Sequence, residues 1–118
     1  MSIEPRRQVL GLVAFQLADA AFNAIPNQWI SDDLDRLGFP EDLRVVIPVV
    51  KSASAVGLLA GLRWPRLGRL TTSALVAYFV LALGSHARVR DTPHRYAPAA
   101  AMLAWAAVVR RAYRIQPA

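Results

Sequence analysis

The chain has 118 residues, no cysteine, a formal net charge of +6 and a hydrophobic share of 55%. This length suits one domain, and the apolar share exceeds that of an ordinary soluble domain. The lack of cysteine excludes disulfides, thiol chemistry and cysteine-ligated metal. The basic charge does not indicate nucleic-acid binding, because the arginines stand in short groups between long apolar runs and no groove-reading motif accompanies them.

Four apolar segments predict an all-α protein, with a single membrane domain over residues 1–118. We expect a four-transmembrane-helix bundle whose helices lie at about 9–26, 45–62, 68–86 and 96–113. The fourth segment has only about 14 apolar residues, or about 21 Å of helix, which is short for a hydrocarbon core of about 30 Å.

Polar residues interrupt the first segment along one face of the predicted helix. Gln16, Asn23 and Asn27 fall within about 20° of one line, and Asp19 lies about 60° away from it. An ionisable residue inside a membrane span is costly to expose to lipid and normally faces other helices or a wet cavity. We therefore expect this face to be covered by the remaining helices.

A second interpretation of the first segment is a secretory signal peptide. Arg6-Arg7 precedes an apolar run that reaches Ala18-Asp19-Ala20, which imitates an A-x-A cleavage site. We favour a membrane span, because the apolar character continues through Ile25.

The second segment carries a basic residue that matches Asp19. Asp19 and Lys51 lie about 15 and 16.5 Å from the same end of the predicted antiparallel helices, so they can pair. Three interpretations stay open: an ion pair that holds helices together, a proton donor and acceptor set, or no contact, with Lys51 extended towards the membrane surface.

Gly57 and Gly61 form a small-residue motif in the second segment, which we interpret as internal packing rather than dimerisation.

The third segment adds a polar line, since Thr71, Tyr78 and Ser85 recur at intervals of seven residues. Tyr78 lies near the depth of Asp19, while Ser85 and His86 lie near the outer end. We predict a polar pocket that opens outwards. Tyr78 could instead bond a buried acceptor, and His86 could be an interfacial residue at the helix end.

These residues are assigned to two candidate roles. The candidates for acid–base catalysis are Asp19, Lys51, Tyr78 and His86. The candidates for binding the polar groups of a substrate are Gln16, Asn23, Asn27, Ser54, Ser85 and Trp105.

Loop charges predict the orientation of the bundle. With the N-terminus inside, the inner segments hold eight arginines against a single acid, Glu4, whereas the outer loops hold five arginines against six acids. Basic residues in short loops favour the cytoplasm, so both termini are predicted to be cytoplasmic. The inner cluster of Arg63, Arg66 and Arg69 could also hold anionic lipid headgroups.

Several short segments, in their order along the chain, resemble the DoxX-like family of small bacterial membrane proteins. They are residues 19–26, 36–40, 50–52, 67–71, 78–79 and 86–88 with Asp91, within about residues 10–105. The resemblance implies a four-helix, multi-pass fold in the bacterial plasma (inner) membrane. Some relatives are named as partners of quinone-linked thiosulfate oxidation or of oxidative-stress complexes. Many relatives carry a lysine in the first helix and a glutamate in the second, and here Asp19 and Lys51 reverse those signs.

Three functions remain open at this point. The first is an intramembrane pocket that binds a lipophilic small molecule, with cofactor-free acid–base catalysis such as isomerisation, epoxide opening or cyclisation. The second is a membrane subunit of a quinone-linked redox complex, and the third is a non-catalytic structural protein. We expect no cofactor and no metal, since the two histidines are poorly spaced for ligation and no nucleotide-binding loop is present. Membrane lipids are expected partners, and a homo-oligomer or a partner membrane protein is left open.

Overall fold

The computed structural model describes residues 3–114, and this part of the chain is all-helical, without strands. Residues 1–2 and 115–118 of the predicted domain lie outside the described residues. The helices are α1 (Ile3–Ala24), α2 (Gln28–Leu37), α3 (Val46–Gly61), α4 (Pro65–Arg88) and α5 (Pro93–Arg110), with a 3-10 turn at Glu41–Leu43. The four longer helices pack in a closed order: α1 on α3, α3 on α4, α4 on α5, and α5 on α1.

Two helices are long and apolar enough to cross a membrane. They are Glu41–Gly61, which joins the 3-10 turn to α3, and Pro65–Arg88. A third candidate arises if α1 and α2, which are bent by 84° at their junction, form one broken span. The sequence predicted four spans, whereas within residues 3–114 α1 is a candidate only together with α2. Helix α5 is not a candidate, because its 18 residues include His94, Arg95 and Arg110.

Helix α2 was not predicted, and local capping explains why it forms. The side chain of Asn27 accepts a hydrogen bond from the backbone N–H of Ile30 at 2.9 Å, which satisfies an otherwise unpaired N–H of the first turn. The helix ends before Gly38, whose φ of 73° lies in the left-handed region that glycine adopts at little cost. The N–H of Phe39 then returns to the carbonyl of Leu34.

Apolar residues fill the interior and also cover much of the outward surface. The central core is formed by side chains that are fully buried: Val9, Leu12, Leu58, Ala106 and Val109. Large apolar side chains also remain more than half exposed on α3, α4 and α5, among them Val56, Leu70, Leu81 and Val108. Contiguous apolar surface on a chain of this size marks contact with a membrane or another protein.

Small residues allow α3 and α4 to approach each other closely, as the Gly57/Gly61 motif predicted. A Cβ atom on Gly61 would lie 2.5 Å from the Cα of Gly68 on α4 and 2.6 Å from the ring of Tyr113. Tyr113, which follows α5, is fully buried between these glycines, and its hydroxyl donates to the carbonyl of Leu58 at 2.7 Å. The motif therefore serves packing within one chain, and the end of α5 completes it.

We expect Gly61→Ala to lower the free energy of unfolding by about 1–3 kcal/mol, because the added methyl group must displace backbone and an aromatic ring. The matched control is Gly84→Ala in α4, where an added Cβ meets nothing within 4 Å. This control should be neutral or stabilising by up to about 1 kcal/mol, because alanine has the higher helix propensity. Unfolding in mixed micelles, followed by circular dichroism, measures both values, and equal effects of the two substitutions would contradict the packing argument.

Candidate functional site

An ion pair joins α1 to α3. The Nζ atom of Lys51 donates to Oδ2 of Asp19 at 2.6 Å. Asp19 lies five residues before the end of α1 and Lys51 five residues after the start of α3, so the antiparallel packing brings them to the same level. The Lys51 side chain is only 8% exposed, whereas that of Asp19 is 26% exposed. The carboxylate is thus the accessible member of the pair.

Polar side chains extend the contact on both sides of the ion pair. Asn23, one turn beyond Asp19, donates to the Asp19 carbonyl at 2.7 Å and to its carboxylate at 3.3 Å. One turn in the other direction, Gln16 donates to the hydroxyl of Ser54 at 2.8 Å, and Ser54 donates to the Lys51 carbonyl at 2.7 Å. We call these five residues the polar seam.

One acceptor in the polar seam is unpaired. The Oε1 atom of Gln16 is buried and has no hydrogen-bond partner among residues 3–114. A buried carbonyl without a partner is costly, and such groups in folded proteins usually meet water, an ion or a ligand. This atom can therefore accept a hydrogen bond from a small molecule or a water.

Two aromatic rings from α4 cover the ammonium group of Lys51. Its Nζ lies 5.3 Å from the ring centroid of Tyr78 and 5.6 Å from that of Phe79. The two rings meet edge to face at 5.2 Å. Cation–π attraction of this kind stabilises an ammonium group that is shielded from water, so α4 helps to hold the Lys51 side chain in place beside Asp19.

The structure brings six of the ten predicted site residues together, and they are Asp19, Lys51, Tyr78, Gln16, Asn23 and Ser54. The other four lie elsewhere, each for a visible reason. Asn27 caps α2, and the hydroxyl of Ser85 donates back to the Leu81 carbonyl. Trp105 donates to Gln8 and packs edge to face on Phe15, so it contacts α1 through residues other than those of the polar seam. His86 lies eight residues, or about 12 Å, beyond Tyr78 along α4.

His86 belongs to a second polar cluster, which we call the Asp91 network: Asp33 and Arg36 of α2, His86 of α4, and Asp91. Nδ1 of His86 and Nη2 of Arg36 each lie 2.6 Å from Oδ2 of Asp91, and Arg36 also pairs with Asp33. The side chain of Asp91 is only 4% exposed. The hydrogen bond from Arg36 is the main reason that the pKa of Asp91 falls from 3.8 to about 2. This network fastens α2 onto the α4–α5 turn.

The Asp91 network also contains potential metal ligands. Ligand atoms of Asp33, His86 and Asp91 all lie within 4.8 Å of one another. The guanidinium group of Arg36, however, already bonds both carboxylates. These residues therefore form an arginine-centred ion cluster, and a divalent cation would have to displace Arg36.

Sequence reasoning missed the Asp91 network. The spacing of His86 and Asp91 around the α4–α5 turn was visible, but Arg36 and Asp33 come from a helix that was not predicted. Asn27 as an N-cap and Gly38 after the last turn were the signals for that helix.

Two cavities lie at opposite ends of the molecule. One, of about 720 Å³, lies at the end formed by the start of α1, the α3–α4 turn and the end of α5. The other, of about 320 Å³, lies beneath α2 and is lined by residues that include Asn23, Asn27, Ile30 and Pro48. Through Asn23, the smaller cavity borders the polar seam one turn from Asp19.

Comparison with known proteins gives one positive result. A sequence model of the DoxX-like family matches residues 8–109, which is most of the chain. Neither the curated proteins nor the solved structures include a significant match to the chain.

We expect the stability of the protein to depend on acid through Asp91. Its pKa in the folded state lies below 3.8, so its contribution is fully present above about pH 4 and is lost as the pH falls towards 2. Asp91→Asn should lower the melting temperature in detergent at pH 7, and the difference from wild type should shrink at about pH 2. Asp42→Asn, an exposed acid outside the ion pairs of residues 3–114, is the control and should be neutral. A difference for Asp91→Asn that does not change with pH would contradict this assignment.

Proposed function

Because the chain belongs to the DoxX-like family of membrane proteins, we propose that α1, α3, α4 and α5 all cross the bilayer as one four-helix bundle. The closed packing order of these helices and their exposed apolar side chains support this proposal. Helix α2, which is short and carries Asp32, Asp33 and Asp35, would lie along the membrane surface. The membrane is the bacterial inner membrane, as the family resemblance implied.

The distribution of arginines supports an orientation with both termini in the cytoplasm. Eight of the thirteen arginines lie at one end of the molecule, which we call the arginine-rich end: Arg6, Arg7, Arg63, Arg66, Arg69, Arg110, Arg111 and Arg114. At the α2 end, five arginines are balanced by six acids. Cytoplasmic loops are enriched in lysine and arginine, so the arginine-rich end is the cytoplasmic one.

This orientation can be tested directly, because the chain has no native cysteine. A membrane-impermeant maleimide applied to intact spheroplasts should label an Asp42→Cys variant and leave a Glu4→Cys variant unlabelled. Permeabilised cells provide the control, in which both variants should react. Labelling of the Glu4→Cys variant in intact spheroplasts would overturn the orientation, and labelling of neither variant there would place residue 42 inside.

We infer that the polar seam binds a lipophilic small molecule through its polar group. The observation that carries this proposal is the unequal exposure of the ion pair: Lys51 is covered by aromatic rings, while Asp19 keeps 26% of its side chain accessible. The unpaired Oε1 of Gln16 supplies an acceptor one turn away. The cavity beneath α2, which Asn23 also lines, supplies a route of entry.

The chemistry that suits this arrangement is cofactor-free acid–base catalysis. Asp19 exchanges a proton with the substrate, and the hydrogen bond from Lys51 holds the carboxyl group of Asp19 in position. The hydroxyl of Tyr78 and the amide of Asn23 orient the polar group of the substrate. Isomerisation, epoxide opening and cyclisation of a lipophilic compound all fit this machinery, since each needs a proton moved within an apolar site.

Asp19→Asn should reduce turnover at least about 100-fold, because an amide cannot exchange the proton and general acid–base catalysis contributes about 10²–10⁴-fold. The assay follows conversion of a panel of lipophilic epoxides and enones in detergent micelles by mass spectrometry. Asp32→Asn, an exposed acid on α2, is the control and should keep wild-type turnover. Unchanged turnover in Asp19→Asn would remove Asp19 from catalysis.

A charge exchange separates catalysis from a purely structural ion pair. The double variant Asp19→Lys with Lys51→Asp keeps an ion pair between α1 and α3 but moves the carboxylate to the covered position 51 on α3. We expect this variant to fold and to lack turnover. Full biological activity of the exchanged pair would favour the structural role. In a separate experiment, stoichiometric co-purification of a quinone or a dehydrogenase with the wild-type protein would favour the redox-complex subunit.

A further inference from the structure

The larger cavity lies at the arginine-rich end, opposite the entrance to the polar seam. Its volume of about 720 Å³ falls within the range of about 300–1,000 Å³ that is typical of small-molecule sites. Its wall combines polar residues, Gln8, Arg111 and Arg114, with apolar ones, Leu62 and Val108. Tyr113, buried between Gly61 and Gly68, forms its floor.

The arginines around this cavity lack acidic partners. None of the eight arginines at the arginine-rich end forms a salt bridge within residues 3–114, although Arg36, Arg44 and Arg95 at the α2 end all do. Two of the eight have neutral partners, since Arg69 donates to the Tyr113 carbonyl and Arg110 to the Ser73 hydroxyl. Arg111 and Arg114, which line the cavity, are exposed. Among residues 3–114, the acid that lines the cavity is Glu4.

One further donor group, the side-chain amide of Gln8, lies at the same place. The carbonyl of Gln8 accepts a hydrogen bond from the indole N–H of Trp105 at 3.2 Å, which leaves the Gln8 amide nitrogen as a donor towards the cavity that it lines. Guanidinium groups bind phosphate oxygens in pairs of parallel hydrogen bonds. Arg111, Arg114 and Gln8 thus form a donor set that is suited to a phosphate group.

The position and the apolar wall identify the kind of phosphate. The cavity lies where α1, α3, α4 and α5 begin or end, which is the membrane surface if these helices cross the bilayer. Leu62 and Val108 give it an apolar side that a freely soluble anion would not use. We propose that this cavity binds the headgroup phosphate of an anionic phospholipid, with Arg111 and Arg114 as the phosphate ligands and the acyl chains along Leu62 and Val108. The inference requires the membrane topology and is independent of catalysis at the polar seam.

The test measures binding of phosphatidylglycerol to the purified full chain in phosphatidylcholine nanodiscs, by native mass spectrometry and by the shift in melting temperature. Wild type should retain phosphatidylglycerol over phosphatidylcholine. The double variant Arg111→Gln/Arg114→Gln should bind phosphatidylglycerol at least about tenfold more weakly, since each arginine near an anionic lipid contributes about 1 kcal/mol. The matched control, Arg63→Gln/Arg66→Gln, removes the same charge from the same end without altering the cavity wall and should keep most of the binding.

Further outcomes decide between the alternatives. Equal losses in the two double variants would show diffuse attraction to the surface and overturn the cavity site, as would equal retention of both lipids by wild type. Stabilisation by inorganic phosphate alone, at the same phosphate concentration, would show a soluble-anion site and overturn the lipid proposal. Glu4→Gln should strengthen binding of phosphatidylglycerol, because it removes the repelling acid. If the double variant at Arg111 and Arg114 fails to fold, this variant tests the cavity site instead. Turnover at the polar seam should be the same in all of these variants, so a failure here is distinguishable from a failure of the proposed catalysis.

Discussion

A charged residue in an apolar helix needs a partner, and the pairing of Asp19 with Lys51 meets this need while it fixes how α1 lies against α3. A shift of either helix by one residue turns its side chains by about 100° and would leave one charge facing apolar surroundings. The hydrogen bond from Gln16 of α1 to Ser54 of α3 is formed at the same register. One electrostatic contact therefore determines the alignment of the two helices, and the apolar residues around it pack within that alignment.

The two ends of the molecule meet different requirements. Within residues 3–114, four of the five arginines at the α2 end bond acids or carbonyls. Arg44, for example, bonds Asp35 and the Phe39 carbonyl, and Arg88 bonds the Leu37 carbonyl. This end is internally neutralised, and α2 is held in place. At the arginine-rich end the positive charge is left without acidic partners within residues 3–114. The two ends of the molecule therefore differ in how far their positive charge is balanced by acids of the described residues.

Sequence reasoning located the polar seam because its signals are local to each helix. Asp19 and Lys51 lie in apolar segments, at equal depth on neighbouring antiparallel helices, so each has few other possible partners. The structure pairs them. The DoxX-like resemblance likewise rested on short local segments. Two residues near α2 were harder to place. Asn27 caps α2, and His86 contacts Asp91, which Arg36 of α2 also bonds. The existence of α2 depends on capping rather than on apolar periodicity. The contacts of Trp105 could not be predicted, because nothing in the α5 sequence indicates which residues of α1 pack against it.

The burial of Tyr113 has a consequence for the order in which the protein is assembled. The close contact of Gly61 with Gly68 leaves a notch between α3 and α4, and the aromatic ring that fills it is contributed by the segment after α5. This segment is made after α3 and α4, so those two helices can meet before it docks, but the notch between them is filled only when Tyr113 packs into it. The contact between α3 and α4 is therefore completed by a residue that lies 45 positions beyond Gly68 in the chain.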